Sequence, residues 1–304
     1  MGLTFKGAAD EFDRWYKSLT SKQLREIEKV YRESLKEAKR SILVYFEKYG
    51  KDGKLTLVEM EKYGRIKNMY EDLTKEINHL TKKKNGQVQA LLFDIYDRGY
   101  NYPAWLAEQA TGLNIRWYGV PKGAVRKAME NPISGLTLAE HLERHRRDIV
   151  WRIRQEVTQG LVRGESYYKT SRRLAEAFES DYVKAKRVVW TESHRVKEQA
   201  QLESHEKLKE KGLEAKRMWV ATLDDRTRDT HRELDGKYED RKGLFHIRGL
   251  STPAPGMFGI AEEDINCRCT VVYVYEDYEP AKRMARGEGL RDYVTYEQWV
   301  KEKL

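Results

Sequence analysis

Cysteine is scarce in this chain of 304 residues, which contains only two. Two cysteines are too few for the disulfide framework that stabilises small secreted domains. They occupy positions 267 and 269, too close together in sequence to bridge comfortably. Cys267 and Cys269 are therefore expected to be either metal ligands or small buried side chains.

Long apolar runs and a signal-peptide pattern are also lacking. The sequence has no stretch of about 18 apolar residues, the length that suggests a membrane-spanning helix. The segment after Met1 does not show the charged, apolar and cleavage-site regions of a signal peptide. We therefore expect a soluble chain with no membrane partner.

Familiar catalytic motifs are absent as well. The sequence has no glycine-rich phosphate loop, no Gly-x-Ser-x-Gly, no His-Glu-x-x-His and no His-Asn-His arrangement. Such patterns place nucleophiles, metal ligands or phosphate groups in known geometries. Their absence argues against an enzyme.

Charge is what the sequence has in abundance. Charged residues make up 35% of the chain and hydrophobic residues 39%, and the mean hydropathy is -0.83. This balance is typical of long helices with solvated faces around modest cores. The net charge of +9 favours an anionic partner such as DNA. Because basic and acidic residues are interspersed, solvated surfaces explain the same charge.

Apolar residues follow the 3.6-residue helical period through most of the first two hundred positions. The spacing predicts a helix over 21–46 with Ser21 as its N-cap, and a second over 60–80 that ends at 82–86. These two helices are expected to be antiparallel. A third helix is predicted over 88–99, and Pro103 is predicted to begin a short one.

A linker is predicted at residues 131–135, where turn formers are concentrated. Thr137 is predicted to cap a helix that reaches Gln159 and ends at glycines 160 and 164. A shorter helix to Phe178 and a long charged one over 183–211 follow. The histidines of the long helix, at positions 194 and 205, are expected to be exposed, since neither has a His or Cys four residues later.

The periodicity changes after Gly212. Residues 215–222 and 269–275 read as strands, and we expect them to pair antiparallel in a small sheet. Between them, Asp225 is predicted to cap a helix that runs through His231 to Leu234. Residues 279–304 are interpreted as an arm that ends in a short helix from Tyr296.

The densest chemistry lies between Trp219 and Cys269. His231, Cys267 and Cys269 suggest a structural zinc site, with His246, Asp224 or Asp225 as the fourth ligand. Alternatively, the cysteines are small residues at the start of a strand and His231 bonds a carbonyl. A buried ion-pair network is a further alternative. It would join the arginines to the aspartates of this stretch: Arg226, Arg228, Arg268, Asp224, Asp225, Asp229 and Asp235.

An enzyme remains the competing class. Asp224, Asp225, His231 and Glu233 are candidates for a catalytic metal site that activates water for phosphodiester cleavage. A metal-dependent nuclease carried with DNA is the corresponding function.

The ordered motifs of this stretch resemble a known family. They are a Trp, then Asp-x-Arg-Thr-Arg-x-x-His, then Leu-Asp-Gly, a Phe, a Pro-x-Pro-Gly turn and Asn-Cys-Arg-Cys. Together they are similar to the Mu F-like head morphogenesis domain of tailed bacteriophages. The upstream Trp190-Thr191-Glu192 resembles the family's Arg-Thr-Glu element, with Trp in place of Arg. The residues that carry the resemblance are Trp219, Asp224, Asp225, Arg226, Arg228, His231, Asp235, Gly236, Asn266 and Arg268.

The resemblance implies a minor head protein associated with the portal, acting in head assembly and in genome packaging or ejection. It implies contact with portal, capsid or scaffolding protein. Because the basic residues are dispersed rather than gathered into one stripe, contact with packaged DNA is expected to be weak and without sequence preference. The expected location is the host cytoplasm during assembly and then the virion.

We expect a mainly α fold with a C-terminal α+β domain. The predicted order is an elongated helical docking region over 1–130, a helical lead-in over 131–212, the Mu F-like module with its antiparallel sheet over 213–278, and a C-terminal arm over 279–304.

Overall fold

A computed structural model describes residues 5–111, 117, 119–130, 136–222, 224–274, 282–285 and 289–292. The chain is mainly helical with short strands near its C-terminus, so the predicted fold class is confirmed. The helices are α1 (Phe5–Tyr49), α2 (Leu57–Glu61), α3 (Arg65–Thr111), α4 (Ala124–Glu130), α5 (Leu138–Val162), α6 (Tyr167–Glu210), α7 (Asp229–Leu234) and α8 (Ala261–Asp264), with a 3-10 turn at Lys62–Gly64. The strands are β1 (Lys216–Val220), β2 (Phe245–Ile247), β3 (Leu250–Thr252), β4 (Thr270–Val274), β5 (Lys282–Ala285) and β6 (Gly289–Asp292).

The residues group into two compact units. Unit one contains Met1–Leu19, Leu92–Leu138 and Trp190–Leu304, and unit two contains Thr20–Leu91 and Ala139–Val189. Each unit therefore collects segments that are distant in sequence. The predicted linear boundaries at 130, 212 and 278 stay a prediction, and the linker predicted at 131–135 lies outside the described residues.

Unit two is built from antiparallel helices. The phenol of Tyr45 on α1 donates to Asp72 on α3 at 2.9 Å, and Lys84 lies over the ring of Tyr31. Because the higher number on one helix meets the lower on the other, α1 and α3 run antiparallel, as predicted. Its buried core follows the predicted apolar stripe and includes Ile27, Ile42, Met69, Leu73, Ile77, Leu80, Ile149 and Ile153.

Three predicted helix boundaries are wrong. Ser21 lies inside α1, and α3 continues through Asn85-Gly86 and Pro103. A glycine costs a helix interior about 1 kcal/mol and a proline about 3 kcal/mol, which packing can offset. Gly99 is an example: α3 packs so closely against α6 at this point that a Cβ on Gly99 would lie 3.1 Å from Ala200.

The next helices were predicted more accurately. α5 starts directly after Thr137 and ends at Val162, before Gly164, which has a positive φ of 58°. Gly160 lies inside the helix, so its predicted role as a helix end is wrong. The predicted break near residues 178–183 is wrong, because α6 is one helix of 44 residues. None of the described helices carries an apolar stretch that could cross a bilayer.

Unit one contains the α+β module, residues 216–274. β1 pairs antiparallel with β4, as predicted, with Trp219 opposite Val271. The other two-stranded pairs are β2 with β3 and β5 with β6. The strands β5 and β6 lie in the stretch predicted as an arm, and the helix predicted from Tyr296 lies outside the described residues.

Candidate functional site

Trp219 is the centre of the α+β module core. Its side chain is fully buried, and its ring meets those of Phe245 at 5.3 Å and His231 at 5.5 Å, both edge to face. Such edge-to-face pairs stabilise beyond the area they bury. The remaining buried members of this core are Ala221, Leu234, Ile247, Cys267, Cys269 and Val271.

The Leu-Asp-Gly motif forms a turn against β1. The Asp235 carboxylate accepts the Ala221 amide at 2.8 Å, and the Gly236 amide donates to the Trp219 carbonyl at 2.9 Å. Gly236 has a φ of 77°, a conformation that glycine adopts without steric cost. The motif therefore fixes its turn to the backbone of β1 and of the residue that follows the strand.

Asp224 organises the loop between β1 and α7. Both of its oxygens accept from the Arg268 guanidinium, one at 2.7 Å, and Thr227 and the Arg226 amide also donate to it. The hydrogen bond from Arg268 is the main reason that the pKa of Asp224 falls from 3.8 to about 2. A bidentate pair of this kind fixes both position and orientation. It joins the loop to the segment that carries both cysteines.

His231, Cys267 and Cys269, hereafter the His/Cys cluster, meet in the buried core. The Nδ1 atom of His231 lies 3.3 Å from Cys269 Sγ and 3.7 Å from Cys267 Sγ. The three candidate ligand atoms all lie within 4.8 Å of one another. Both cysteines are free thiols, and burial raises the pKa of Cys267 to about 11.

A carboxylate lies behind the histidine of the cluster. Nε2 of His231 is 2.9 Å from the Glu263 carboxylate, and this carboxylate accepts a hydrogen bond from the Thr230 hydroxyl at 2.8 Å. The neighbouring Asp264 accepts the amides of Phe258 and Gly259 at 2.8 and 2.7 Å. α8 therefore supplies one carboxylate to His231 and one to the preceding loop.

Comparisons with known proteins identify relatives of this chain. The family model described as Phage Mu protein F like protein matches residues 151–272. The chain is 33% identical over 299 residues to minor head protein GP7 of Bacillus phage SPP1, and the match covers 97% of each chain. The chain belongs to the Mu F-like family of phage minor head proteins. The resemblance seen in the motifs is thereby confirmed.

A second relative is of a different kind. The chain is 28% identical over 303 residues to the NAD(+)--arginine ADP-ribosyltransferase EFV of Enterococcus faecalis. That match covers 97% of this chain and 61% of the relative. No solved structure matches the chain at a significant level.

Within the Mu F-like region, α6 contributes an unusual buried stretch. All eight residues from Thr191 to Glu198 are buried, although most are polar or charged. Thr191, from the upstream element of the family, accepts the amide of Asn266 at 3.2 Å. Asn266 has a φ of 57°, which asparagine tolerates better than most residues. The two halves of the family motif are thus in direct contact.

The prediction that His194 and His205 are exposed is wrong. Their exposed fractions are 6% and 5%. His194 lies beside the Cys267 thiol and acts to lower its pKa against the effect of burial. His205 packs on the Tyr273 ring, and burial lowers its pKa to about 4.

The proposed fourth zinc ligands do not join the His/Cys cluster. His246 is exposed and lies 2.9 Å from Asp240, because the alternation of β2 directs its neighbours Phe245 and Ile247 inward instead. Asp224 is bound by Arg268, and Asp225 is exposed. Each therefore has a different environment from the one expected.

The arginines of the motif form a smaller network than expected. The buried Asp224 pairs with the partly exposed Arg268, whereas Arg226 is largely exposed and only approaches Asp224 at 3.7 Å. Arg228 donates to the carbonyl of Ile265 at 2.5 Å. α7 begins at Asp229, so the helix cap predicted at Asp225 is wrong. Residues 224–232 consequently do not share one helical face.

Two buried charged features were missed. Arg217 on β1 pairs with Glu239 and donates to the carbonyls of Pro253 and Gly243 at 2.7 and 2.6 Å. On α6, Lys197 and Glu198 form a buried pair at 2.8 Å, and both bond the Thr270 hydroxyl. Nothing in the sequence around them distinguishes these charges from the many exposed ones.

Proposed function

We propose that this protein is a minor component of the phage head that associates with the portal during head assembly and genome packaging or ejection. The observation that carries the proposal is the 33% identity to SPP1 minor head protein GP7 over 97% of both chains. The likeness extends through the N-terminal helices as well as the α+β module. A shared head function is the simplest reason for such full-length similarity.

The N-terminal helices over 15–130 are the proposed docking region for portal, capsid or scaffolding protein. Amphipathic helices offer extended faces that bind a large assembly without a deep pocket. In unit two, this region exposes Val44, Val58 and Tyr63, with exposed fractions of 53%, 66% and 89%. Large apolar groups left in water in this way favour a protein interface.

The docking test uses the full chain with the portal protein of the same phage. Tagged wild-type protein is expected to co-purify with portal and to be present in purified particles. Val58→Glu combined with Tyr63→Glu should abolish co-purification, while Tyr168→Glu, a matched exposed aromatic outside 15–130, should leave it intact. Loss of portal binding only in Tyr168→Glu would place the docking surface elsewhere. Absence of the wild-type protein from both portal complexes and particles would refute the head function.

Contact with packaged DNA is proposed to be weak and independent of sequence. The net charge of +9 favours it, but many basic side chains are engaged in ion pairs, such as Arg32 with Glu28 and Lys29 with Glu26. Affinity for duplex DNA should fall steeply as salt rises, because binding releases counterions. Tight binding retained at high salt would contradict this view.

No specific observation of the described residues favours either enzymatic alternative. The suggested nuclease residues are engaged separately: Asp224 with Arg268, His231 with the cysteines and Glu233 with Arg248. The ADP-ribosyltransferase name belongs to a relative of which the match covers 61%. Incubation with supercoiled DNA and a divalent metal, and separately with labelled NAD and an arginine-containing acceptor, tests both activities.

A further inference from the structure

The spacing of the His/Cys cluster suits a tetrahedral metal ion. Zinc lies about 2.3 Å from a thiolate sulfur and about 2.0–2.1 Å from an imidazole nitrogen, which separates tetrahedral ligand atoms by about 3.3–3.8 Å. The His231 nitrogen is 3.3 and 3.7 Å from the two sulfurs. The donor set of two thiols and one imidazole favours zinc over the oxygen-seeking ions Mg²⁺ and Ca²⁺.

The second nitrogen of His231 supports the same reading. It lies 2.9 Å from the Glu263 carboxylate, while Nδ1 is the nitrogen that faces the two sulfurs. In many metal sites the second nitrogen of a ligand histidine faces a carboxylate, which orients the ring. A histidine that merely fills the core does not need this second contact.

His194 is the candidate for the fourth ligand. Its side chain is buried beside Cys267, and its Nε2 atom is buried with no hydrogen-bond partner among the described residues. An unpaired buried polar atom costs about 1–3 kcal/mol, and coordination would remove that cost. Gly256 makes the space, since a Cβ there would lie 3.1 Å from the His194 ring.

We infer that His194, His231, Cys267 and Cys269 bind one structural zinc ion, with Glu263 orienting His231. His194 stands outside the tight group of three, so the ion draws its imidazole toward them. The site is closed and buried, which is typical of a structural rather than a catalytic zinc. It joins α6, α7 and the segment before β4, three parts of unit one that are far apart in sequence.

The first test is made on the full-length wild-type chain. Protein produced in zinc-supplemented medium should contain one zinc per chain by mass spectrometry of metals. Replacement by Co²⁺ should give the intense visible bands of a tetrahedral ion and a thiolate-to-cobalt charge-transfer band. A folded chain that holds no zinc and gives no such spectrum would overturn the inference.

The second test distinguishes His194 from His246, the ligand that the sequence suggested. In the cobalt form, His194→Cys should strengthen the charge-transfer band, because three thiolates then bind the ion instead of two. The matched variant His246→Cys should leave the band unchanged. The reverse result would assign the fourth position to His246, and no change in either variant would exclude both.

A third variant guards against misfolding of the His194 substitution. Glu263→Gln keeps the size of the side chain while weakening its hold on His231. Removing such a supporting carboxylate typically lowers metal affinity about 10- to 100-fold. We expect that loss in a competition assay with a chromophoric zinc chelator, with the far-ultraviolet circular dichroism spectrum preserved. Unchanged affinity would remove Glu263 from the site.

Discussion

From Tyr167 to Val189, in unit two, α6 buries residues in the repeating pattern of an amphipathic helix, whereas from Thr191 to Glu198, in unit one, it buries every residue. The first pattern requires apolar neighbours on one side only. The second requires partners on all sides, and those partners must satisfy charges. Burial along α6 thus follows the helical period in unit two, whereas in unit one it depends on partners for the charged side chains.

The largest expected loss of stability comes from removing the positive charge of Lys197. Lys197→Met leaves the buried Glu198 carboxylate without its cation, and removal of one partner from a buried pair costs about 3–5 kcal/mol. Chemical denaturation followed by circular dichroism measures the loss of unfolding free energy.

Two further variants separate pairing from polarity at this position. The double variant Lys197→Met with Glu198→Leu should recover most of the stability, because a well-packed apolar pair can replace an ion pair. Lys186→Met, at an exposed position of the same helix, should stay close to wild type. A Lys197→Met variant as stable as Lys186→Met would show that the pairing does not matter.

A somewhat smaller effect is expected from the apolar core of unit two. Ile42 is fully buried on α1, so Ile42→Ala should cost about 2–5 kcal/mol and Ile42→Val about 0.5–1.5 kcal/mol. The graded response measures sensitivity to volume rather than to charge. Equal losses for the two variants in the same denaturation assay would contradict it.

The smallest effect concerns Asp224 and depends on pH. Its pKa is depressed in the folded protein, from 3.8 to about 2. The resulting stabilisation is therefore fully present above about pH 4 and is lost as the pH falls toward 2. Because Arg268 is partly exposed, solvent screening reduces the contribution to about 1–2 kcal/mol.

Asp224→Asn should remove this stabilisation at neutral pH and flatten the loss between pH 4 and pH 2. Asp225→Asn, at the exposed neighbouring carboxylate, is the matched control and should keep the wild-type profile. Thermal unfolding midpoints across this pH range provide the measurement. Identical profiles for the two variants would mean that the Asp224 pair is not a stabilising feature.

Periodicity in the sequence predicted the helices better than their ends. The apolar stripes of α1, α3 and α5 identify the residues buried in unit two. Glycine and proline did not predict the helix ends, because the free energy they cost a helix is small beside that of tertiary packing. Gly99 packs against Ala200, and α3 continues through Pro103. A single sequence does not show which breakers are offset by neighbours.

Part of the candidate site could be predicted from the sequence. The two cysteines attract attention because cysteine is rare in this chain, and strand propensity predicted the pairing of β1 with β4. His194 was misplaced because its neighbours Glu192, Arg195 and Lys197 are charged and suggest a surface. Through Thr191, Lys197 and Glu198 this stretch meets residues 266–270, more than seventy positions away, and local patterns do not contain such contacts.

The distance of those contacts along the chain has a consequence for synthesis on the ribosome. Thr191 meets Asn266, 75 residues later, and Lys197 meets Thr270, 73 residues later. This part of α6 therefore stays exposed to water until residues 266–270 have left the ribosome. An apolar surface held open for that time invites aggregation. A surface of lysine, glutamate, arginine and threonine stays hydrated during that time, so we expect the charges that are costly in the finished core to limit aggregation of the nascent chain.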